Sequence, residues 1–262
     1  CREIAMKSIS VTAERDYTVS IGTQWMTSLL PLIQSRTRVA VIVSSGFSPD
    51  LSSLQELDCD VHVFTVPDGE EAKSASTLLT LWNWLGAAGF TRSDLIVGIG
   101  GGAITDLAGF TAASWLRGID WIAVPTSLAG MVDASVGGKT GINSDYGKNL
   151  IGAFHSPIAV IVDIEFLKTL SPRDLSAGMA EVIKCGFIRD TKILDILKGR
   201  SLAEVRADKS LTTELIERSI RVKGDVVSGD YKESFDREIL NYGHTFGHAV
   251  EFASKIAQVM ML

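Results

Sequence analysis

The sequence predicts two folded units in succession, an α/β domain with a parallel, Rossmann-like sheet and then an all-α domain. Short β-branched runs alternate with helical stretches through about the first 165 residues. From Pro172 onward these runs stop and helical periodicity remains. Because no low-complexity linker separates the two patterns, we expect the boundary near residues 165–171, domains at 1–168 and 169–262, and a ligand cleft between them.

Each element follows from its local pattern. Apolar, β-branched runs of four to six residues predict strands, and apolar residues three and four apart predict helices. The strands are expected at 17–21, 39–44, 61–66, 95–99, 121–124 and 159–162, and the helices of the second domain at 173–189, 191–198, 211–228 and 239–256.

Composition and charge exclude several classes of protein. Of the 262 residues, 46% are apolar and 21% are charged, which is typical of a globular protein. The formal net charge of -6 disfavours a general binder of nucleic acid or membrane surfaces, so an anionic ligand would need local cations. No run of 18 apolar residues predicts a membrane span.

The cysteines and the N-terminus suggest where the protein works. Cys1, Cys59 and Cys185 form no close pair and no CxxC motif, so we expect neither a disulfide framework nor a zinc ribbon, and a reducing cytoplasm is the simplest location. The first residues are mixed and charged, unlike a secretory signal. A start at Cys rather than Met suggests a fragment.

A glycine-rich turn follows the fourth predicted strand. Gly98, Gly100 and Ala103 satisfy the pattern GxGxxA between a strand and a helix. Backbone N–H groups at such a helix start can face a phosphate, although the same glycines also permit tight packing. A nucleotide site and a packing motif both remain open, and in dinucleotide-binding folds this motif usually follows the first strand.

Two further segments carry charges beside turns. Residues 67–74 place carboxylates and Lys73 between a strand and a helix, where they suit either a ribose or phosphate contact or a plain capped turn. The segment Gly137-Gly-Lys-Thr140 is similar to the end of a P-loop, but Asp133 stands where that motif needs Gly. We therefore interpret Lys139 and Lys148 as separate point charges for an oxyanion or cofactor.

Polar groups also recur on helical stripes of the second domain. Glu181 and Lys184 are three residues apart, which fits an exposed ion pair, but the nearby Gly178 indicates close packing and a possible functional role. Lys223 lies among aliphatic residues, where it either reaches solvent or points into the cleft as an anion clamp.

The last stripe is the one most suggestive of ligands. Arg237, Asn241, His244, His248 and Glu251 lie along one line of a helix, as ligands of a metal or an anionic substrate would, although a solvated face is the alternative. Spacing alone favours both histidines as zinc ligands, since i,i+4 is the HExxH separation. The remaining histidines, His62 and His155, stand alone and are expected to be structural.

Seven ordered motifs closely resemble those of the 3-dehydroquinate synthase family, and the similarity extends through Glu251. They are residues 67–74, 100–106, 124–127, 133–143, 147–154, 177–184 and 240–248. The resemblance implies an N-terminal NAD-binding α/β domain and a C-terminal helical metal domain. It also implies conversion of 3-deoxy-D-arabino-heptulosonate 7-phosphate to 3-dehydroquinate in the shikimate pathway.

The resemblance further implies roles for individual residues. NAD would be surrounded by Asp68, Gly69, Glu70, Glu71, Ala72, Lys73, Gly102, Ala103, Ile104, Thr105, Asp106, Thr126, Ser127, Lys139, Lys148, Phe166, Leu167, Lys168, Thr169 and Leu170. Substrate would be held by Asp133, Lys139, Asn149, Lys184, Lys223, Arg237, Asn241 and His248. Glu181 and His244 would bind zinc or cobalt, and Glu233, His248, Lys139 and Lys184 would be catalytic. Family members are commonly homodimers, so a homodimer is also expected.

The chain departs from the family pattern at a few positions. Thr105 and Ser127 replace residues that are often Gly and Thr, which should be tolerated. Beyond Glu251 the family has a His that serves as third metal ligand, whereas this sequence reaches Leu262 without one. We expect truncation; the alternatives are that His248 substitutes or that the chain is an inactive NAD-binding homologue. A related sugar phosphate cyclase is the other functional alternative.

Overall fold

The computed structural model describes residues 6–22, 24–229 and 240. Nine strands occur in this part of the chain, seven in one sheet and two in a separate hairpin. In chain order they are β1 (Lys7–Val11), β2 (Tyr17–Gly22), β3 (Arg38–Ser44), β4 (Asp60–Val66), β5 (Leu95–Gly100), β6 (Asp120–Pro125), β7 (Lys139–Ser144), β8 (Gly147–Phe154) and β9 (Ala159–Asp163).

Seven helices are described as well. They are α1 (Trp25–Ile33), α2 (Ala75–Ala87), α3 (Gly102–Ser114), α4 (Pro172–Ile188), α5 (Lys192–Leu197), α6 (Leu202–Ala207) and α7 (Lys209–Gly229). Several begin at a side-chain cap: Ser74 accepts from an amide of α2, and Ser171 accepts from one of α4, which has Pro172 in its first turn. A capping box between Ser201 and Glu204 starts α6.

The main sheet has the strand order β1-β2-β9-β6-β5-β3-β4. Only β1 and β2 pair antiparallel; the other neighbours are parallel. All six residues of β5 are buried, as expected for a strand covered on both faces. Because β2, β3, β4, β5, β6 and β9 run the same way, their carboxyl ends meet at one edge, where ligands bind in folds of this kind.

The apolar core lies on both faces of the sheet. On one face, Leu29 and Ile33 of α1 pack with Val39, Val41 and Val97. Burying each of these side chains contributes roughly 1.5–3 kcal/mol. On the opposite face, residues of α2, α3, α4 and α7 share one continuous cluster with the sheet. Sheet and second-half helices are therefore joined by a common core in the described region, and the division at residue 168 stays a prediction.

The six expected strands are all present, but the pattern missed three others and one helix. The run 7–11 is short, and the glycine-rich hairpin at 139–154 looked like a loop. The glycine turn consequently follows the fifth strand, not the fourth. The helices predicted at 173–189, 191–198 and 211–228 are present as α4, α5 and α7, with small shifts of their ends. Helix α6 was not predicted. The helix predicted at 239–256 lies outside the described residues except for Leu240.

No helix in the described ranges is both long and apolar enough to cross a lipid bilayer.

Candidate functional site

The carboxyl edge of the sheet gathers most of the residues that the sequence singled out. Asp68 follows β4, and the Gly101-Gly102 pair follows β5. Thr126 and Ser127 follow β6, and a 3₁₀ turn at Ile164–Lys168 follows β9. Four loops at the carboxyl ends of parallel strands thus lie along one edge of the sheet, which is the usual ligand position of an open α/β sheet.

The glycines of the β5–α3 turn keep its backbone bare. A Cβ added at Gly98 would lie 2.5 Å from the Cβ of Ala108, and one at Gly100 would lie 2.6 Å from the Cβ of Ile104. At Gly102 the added atom would be 3.0 Å from the Cβ of Ala134. Helix α3 starts at the N-cap residue Gly101, which has no side chain, so no side chain caps the first amides of the helix. This arrangement fits the phosphate groups of a dinucleotide as well as close packing.

The neighbouring residues Thr105 and Ser127 have local hydrogen-bond partners. Thr105 Oγ1 donates to the Gly102 carbonyl at 2.9 Å, and Ser127 Oγ accepts from the Gly130 amide at 3.2 Å. Both hydroxyls are therefore accommodated without leaving a polar group unpaired.

A buried lysine connects three elements beside this turn. Lys73 is only 3% exposed, and its Nζ donates to Asp106 Oδ2 at 2.6 Å and to Asn149 Oδ1. Burial raises the pKa of Asp106 to about 6, with the nearby Lys73 charge opposing that rise. The 3₁₀ turn at Gly69–Ala72, helix α3 and strand β8 are thereby held together.

Asn143 also links the hairpin to the 3₁₀ turn at Gly69–Ala72 and to Lys73. Its amide N–H donates to the Lys73 carbonyl at 2.8 Å, and its side-chain amide donates to Glu70 Oε1 at 2.7 Å. The Asn149 amide in turn donates to Asn143 Oδ1 at 2.9 Å. Asn149 itself has φ of 58°, a left-handed conformation that Asn tolerates better than most residues.

The two lysines of the hairpin lie far apart. Lys139 pairs with Phe154 at the open end of the hairpin, whereas Lys148 follows Gly147 at its closed end. At about 3.4 Å per residue, the four steps from Lys139 to Asn143 span roughly 14 Å, and Lys148 follows the Ser144–Gly147 pair just beyond Asn143. Both lysines are exposed, and they cannot grip one small anion together from these backbone positions.

A second charged cluster lies where α4 and α7 meet a π-helical turn at Gly130–Ala134. Lys223 Nζ from α7 donates to Asp133 Oδ1 at 2.6 Å and to the Asp133 carbonyl at 2.5 Å. Lys184 Nζ from α4 is ion-paired with Glu181 and lies 4.0 Å from Asp133 Oδ1. Two lysines and two carboxylates thus converge from three elements.

The environment shifts the pKa values of Lys184 and Lys223 in opposite directions. Burial lowers the pKa of Lys223, even though Asp133 attracts its charge. Burial also acts against the charged form of Lys184, but the charges of Asp133 and Glu181 prevail and raise its pKa. Lys184 is 5% exposed and Lys223 7% exposed, so both ammonium groups act at low local dielectric, where electrostatic contacts are strong.

A helical glycine brings this cluster close to the sheet. A Cβ at Gly178 of α4 would lie 2.5 Å from the Cβ of Leu128 and 2.6 Å from the Ala129 amide nitrogen. The segment that leads from Ser127 into the π-helical turn therefore touches the α4 backbone directly. This contact places Glu181 and Lys184, one turn and two turns along α4, beside Asp133.

Several residues proposed for the site have other principal contacts. The Phe166 ring packs against Phe47 at a centroid distance of 5.3 Å and against Trp25 at 6.0 Å. Leu167 is buried, whereas Lys168 and Thr169 are exposed and Leu170 is partly buried.

The structure also identifies contacts that the sequence did not indicate. Asp68 accepts a hydrogen bond from Ser44 Oγ, and a Cβ at Gly46 would be 2.4 Å from Asp68 Oδ2. Asn143 likewise had no assigned role. The only available signal was that Ser44 ends a buried strand and Gly46 comes two residues later, which places both at the same edge as Asp68.

The two isolated histidines have structural partners, as expected. His155 Nε2 donates to the Ile119 carbonyl at 2.8 Å inside the protein. The His62 ring lies 2.8 Å from Asp60 and stacks edge-on with Phe90.

The described donors do not by themselves complete a metal site. Within residues 6–22, 24–229 and 240, no group of three or more His, Cys, Asp or Glu side chains is arranged to hold a metal ion. Glu181 supplies one carboxylate of suitable chemistry for zinc or cobalt. The other expected ligand, His244, lies outside the described residues, as do Glu233, Arg237, Asn241 and His248.

Comparisons with known proteins cover most of the chain. The family model for the N-terminal part of 3-dehydroquinate synthase matches residues 63–177, and that for its C-terminal part matches residues 178–260. A 3-dehydroquinate synthase of Thermobifida fusca is 53% identical over 242 residues, covering 90% of this chain and 66% of that protein. One of Corynebacterium diphtheriae is 49% identical over 252 residues, covering 94% and 70%. The chain spans about two thirds of the length of these relatives.

Solved structures with the same architecture include two sugar phosphate cyclases. A 2-deoxy-scyllo-inosose synthase complexed with carbaglucose-6-phosphate, NAD+ and Co2+ has a TM-score of 0.83 and 29% identity, covering 97% of this chain and 72% of that one. The 2-epi-5-epi-valiolone synthase of Streptomyces hygroscopicus subsp. jinggangensis with NAD+ and Zn2+ has a TM-score of 0.83 and 26% identity, covering 99% and 73%.

Proposed function

Because the chain belongs to the 3-dehydroquinate synthase family, we propose that it converts 3-deoxy-D-arabino-heptulosonate 7-phosphate to 3-dehydroquinate and phosphate. The observation that carries this proposal is a pair of buried lysines, Lys184 and Lys223, held around Asp133 in a chain of net charge -6. A doubly anionic substrate needs fixed cations that the overall charge does not supply.

The cofactor would lie along the carboxyl edge of the sheet. Its diphosphate fits the bare backbone at Gly102 and Ala103, next to Thr126 and Ser127. Asp68, with its orientation fixed by Ser44, suits a ribose hydroxyl at the neighbouring strand end. Residues 69–73, 104–106 and 166–170, together with Lys139 and Lys148, complete the proposed NAD-binding set.

The substrate would be held by the second cluster and by the hairpin. Lys184 and Lys223 present ammonium groups whose side chains are already desolvated, so little reorganisation is needed when an anion arrives. Asp133 orients both lysines and can accept a hydrogen bond from a substrate hydroxyl. Asn149 and Lys139 are proposed contacts from the hairpin, and Arg237, Asn241 and His248 from residues outside the described part.

The described residues fit a dinucleotide and supply one ligand of a divalent metal. When bound, NAD would supply a reversible hydride acceptor and a zinc or cobalt ion held by Glu181 and His244 would supply a Lewis acid. Glu233 and His248 are the proposed proton acceptors, and Lys184 the cation nearest the Glu181 carboxylate. Substrate and products have the same overall oxidation state, so the chain needs no external oxidant.

The test is phosphate release by the purified chain supplied with NAD and zinc. We expect release from 3-deoxy-D-arabino-heptulosonate 7-phosphate, and a loss of kcat/KM of roughly 10- to 100-fold in Lys223→Gln, because a charge-assisted contact is worth about 1.5–3 kcal/mol. Lys192→Gln removes an exposed lysine of α5 and should leave kcat/KM unchanged.

Two outcomes would replace the proposal. Release from glucose 6-phosphate or sedoheptulose 7-phosphate alone would indicate a related sugar phosphate cyclase, the second candidate favoured by the likeness to 2-deoxy-scyllo-inosose synthase. Stoichiometric NAD binding without phosphate release from any substrate would indicate a non-catalytic homologue. Calorimetry with NAD, run beside the activity assay, distinguishes the two.

We also propose a cytoplasmic homodimer in which domains 1–168 and 169–262 enclose the substrate. The family membership supports the dimer, and the scattered cysteines suit a reducing compartment. Light scattering after size-exclusion chromatography should give about twice the mass of one chain; a monomer at micromolar concentration would contradict the dimer.

A further inference from the structure

A cavity lies away from both charged clusters, among the helices of the second half. It has a volume of about 400 Å³ and is bordered by α4, α6, α7 and the 3₁₀ turn after β9. Its deep walls are aliphatic and buried: Leu128, Leu175, Met179, Val182, Leu215 and Ile216. This volume is within the range of small-molecule sites, about 300–1,000 Å³.

Helix α4 separates this cavity from the cluster around Asp133. Leu175, Met179 and Val182, spaced at four and three residues, line the cavity. Glu181 and Lys184 contact each other in the other cluster. An occupant of the cavity would therefore not touch the proposed substrate cations.

The mouth of the cavity is basic. Lys168, Arg206 and Lys209 line it, and the nearby Glu165 carboxylate is ion-paired with both Lys168 and Lys209. Arg206 also donates to the Lys168 carbonyl. Lys168, Arg206, Lys209 and Glu165 together carry a net positive formal charge beside an apolar interior, which is complementary to a molecule with an aliphatic body and an anionic head.

We propose that this cavity binds an amphipathic carboxylate, with its aliphatic chain among the buried Leu, Met, Val and Ile side chains and its carboxylate at Arg206 and Lys209. An aliphatic chain fits because, among the residues that the structure describes, none of those lining the walls carries an aromatic ring on which a planar ligand would stack. A carboxylate fits because Arg and Lys bind it through charge-assisted hydrogen bonds. This ligand is independent of the proposed enzymatic substrate.

The experiment uses the full chain and decanoate, measured by isothermal titration calorimetry without any enzymatic substrate. We expect one decanoate per chain, and at least about tenfold weaker binding of decan-1-ol, which has the same chain and no charge. Decylamine should bind more weakly still. Equal affinities for decanoate and decan-1-ol, or no decanoate binding, would overturn the proposal; the latter would also be the result if another segment of the chain fills the cavity.

Two pairs of variants locate the site. Ala203 is exposed on α6 at the cavity mouth, so Ala203→Trp should block entry and lower decanoate affinity at least about tenfold, whereas Ala87→Trp on α2 should not. Lys209→Gln should weaken decanoate binding but not decan-1-ol binding, and Lys192→Gln should change neither. Circular dichroism checks that each variant is folded. Unchanged decanoate affinity in both Ala203→Trp and Lys209→Gln would show that binding occurs elsewhere.

Discussion

The contact between Gly178 and residues 128–129 predicts that Gly178→Ala destabilises the protein, although alanine is the better helix former. The added Cβ would lie 2.5 Å from the Leu128 Cβ and 2.6 Å from the Ala129 nitrogen, and neither atom is the free end of a flexible side chain. Overpacking of this kind costs about 1–3 kcal/mol. Because the contact is with main chain, we take the upper half of that range.

Helix propensity acts in the opposite direction. Replacing Gly by Ala within a helix contributes about 1 kcal/mol of stability. The net expectation is therefore a loss of about 1–2 kcal/mol in the free energy of unfolding. For a chain of this size that corresponds to a fall in Tm of roughly 2–8 °C.

The matched control is another helical glycine. A Cβ at Gly224 of α7 would meet only the Val11 Cγ2, at 3.5 Å, an ordinary contact distance. Gly224→Ala should therefore raise the unfolding free energy, by up to about 1 kcal/mol. Urea denaturation followed by circular dichroism measures both variants. If Gly178→Ala were as stable as the parent chain, α4 would not be packed on residues 128–129, and the placement of Glu181 and Lys184 beside Asp133 would lose its support.

Three further predictions concern buried charges and a helix cap. The pKa of Asp106 is raised to about 6, so the parent chain loses unfolding free energy as pH rises from about 4 to 6 and this carboxyl ionises. Asp106→Asn has no such group, so its unfolding free energy relative to that of the parent chain should increase over that interval, by at most about 3 kcal/mol. Urea denaturation at pH 4.5, 5.5 and 7 measures the difference. A constant difference across these pH values would contradict this. Lys73→Met leaves the Asp106 carboxylate without its cation and should lower the unfolding free energy by roughly 3 kcal/mol at pH 8. The loss should be smaller at pH 5, where the carboxyl can take a proton. Lys192→Met is the control, and an equal loss in Lys73→Met at both pH values would refute the ion pair. Ser171→Ala removes the cap of α4 at the Asp174 amide and should cost about 1 kcal/mol in thermal unfolding, unlike Ser48→Ala in an exposed loop; an equal effect of the two would argue against the cap.

The sequence predicted the parallel strands because their signal is local. Strands such as β3 and β5 are buried on both faces and therefore appear as uninterrupted apolar runs. The hairpin formed by β7 and β8 carries no such signal, since β8 is mostly exposed and rich in glycine. The fold class was confirmed; of the strands that were missed, β1 alternates between buried and exposed residues and β8 is mostly exposed.

The candidate site was less accessible because its contacts are long-range. Spacing left Lys223 open between solvent and cleft, and its position depends on Asp133, which is 90 residues away. Spacing also made no distinction between Lys139 and Lys148, which the hairpin register separates. Assignment of these residues to cofactor or substrate rests on family resemblance and stays a prediction.

The strand order has a consequence for how the chain is synthesised. Thr18 of β2 pairs with Ala159 of β9, so the strand that joins β2 to the rest of the sheet is the last of the nine described strands to be made. At about 5–20 residues per second, a ribosome needs on the order of 10 s to produce the residues between them. For that interval the nascent β1–β2 ribbon exposes an edge able to pair with a foreign strand, and we expect it to be the segment that chaperones must shield during translation.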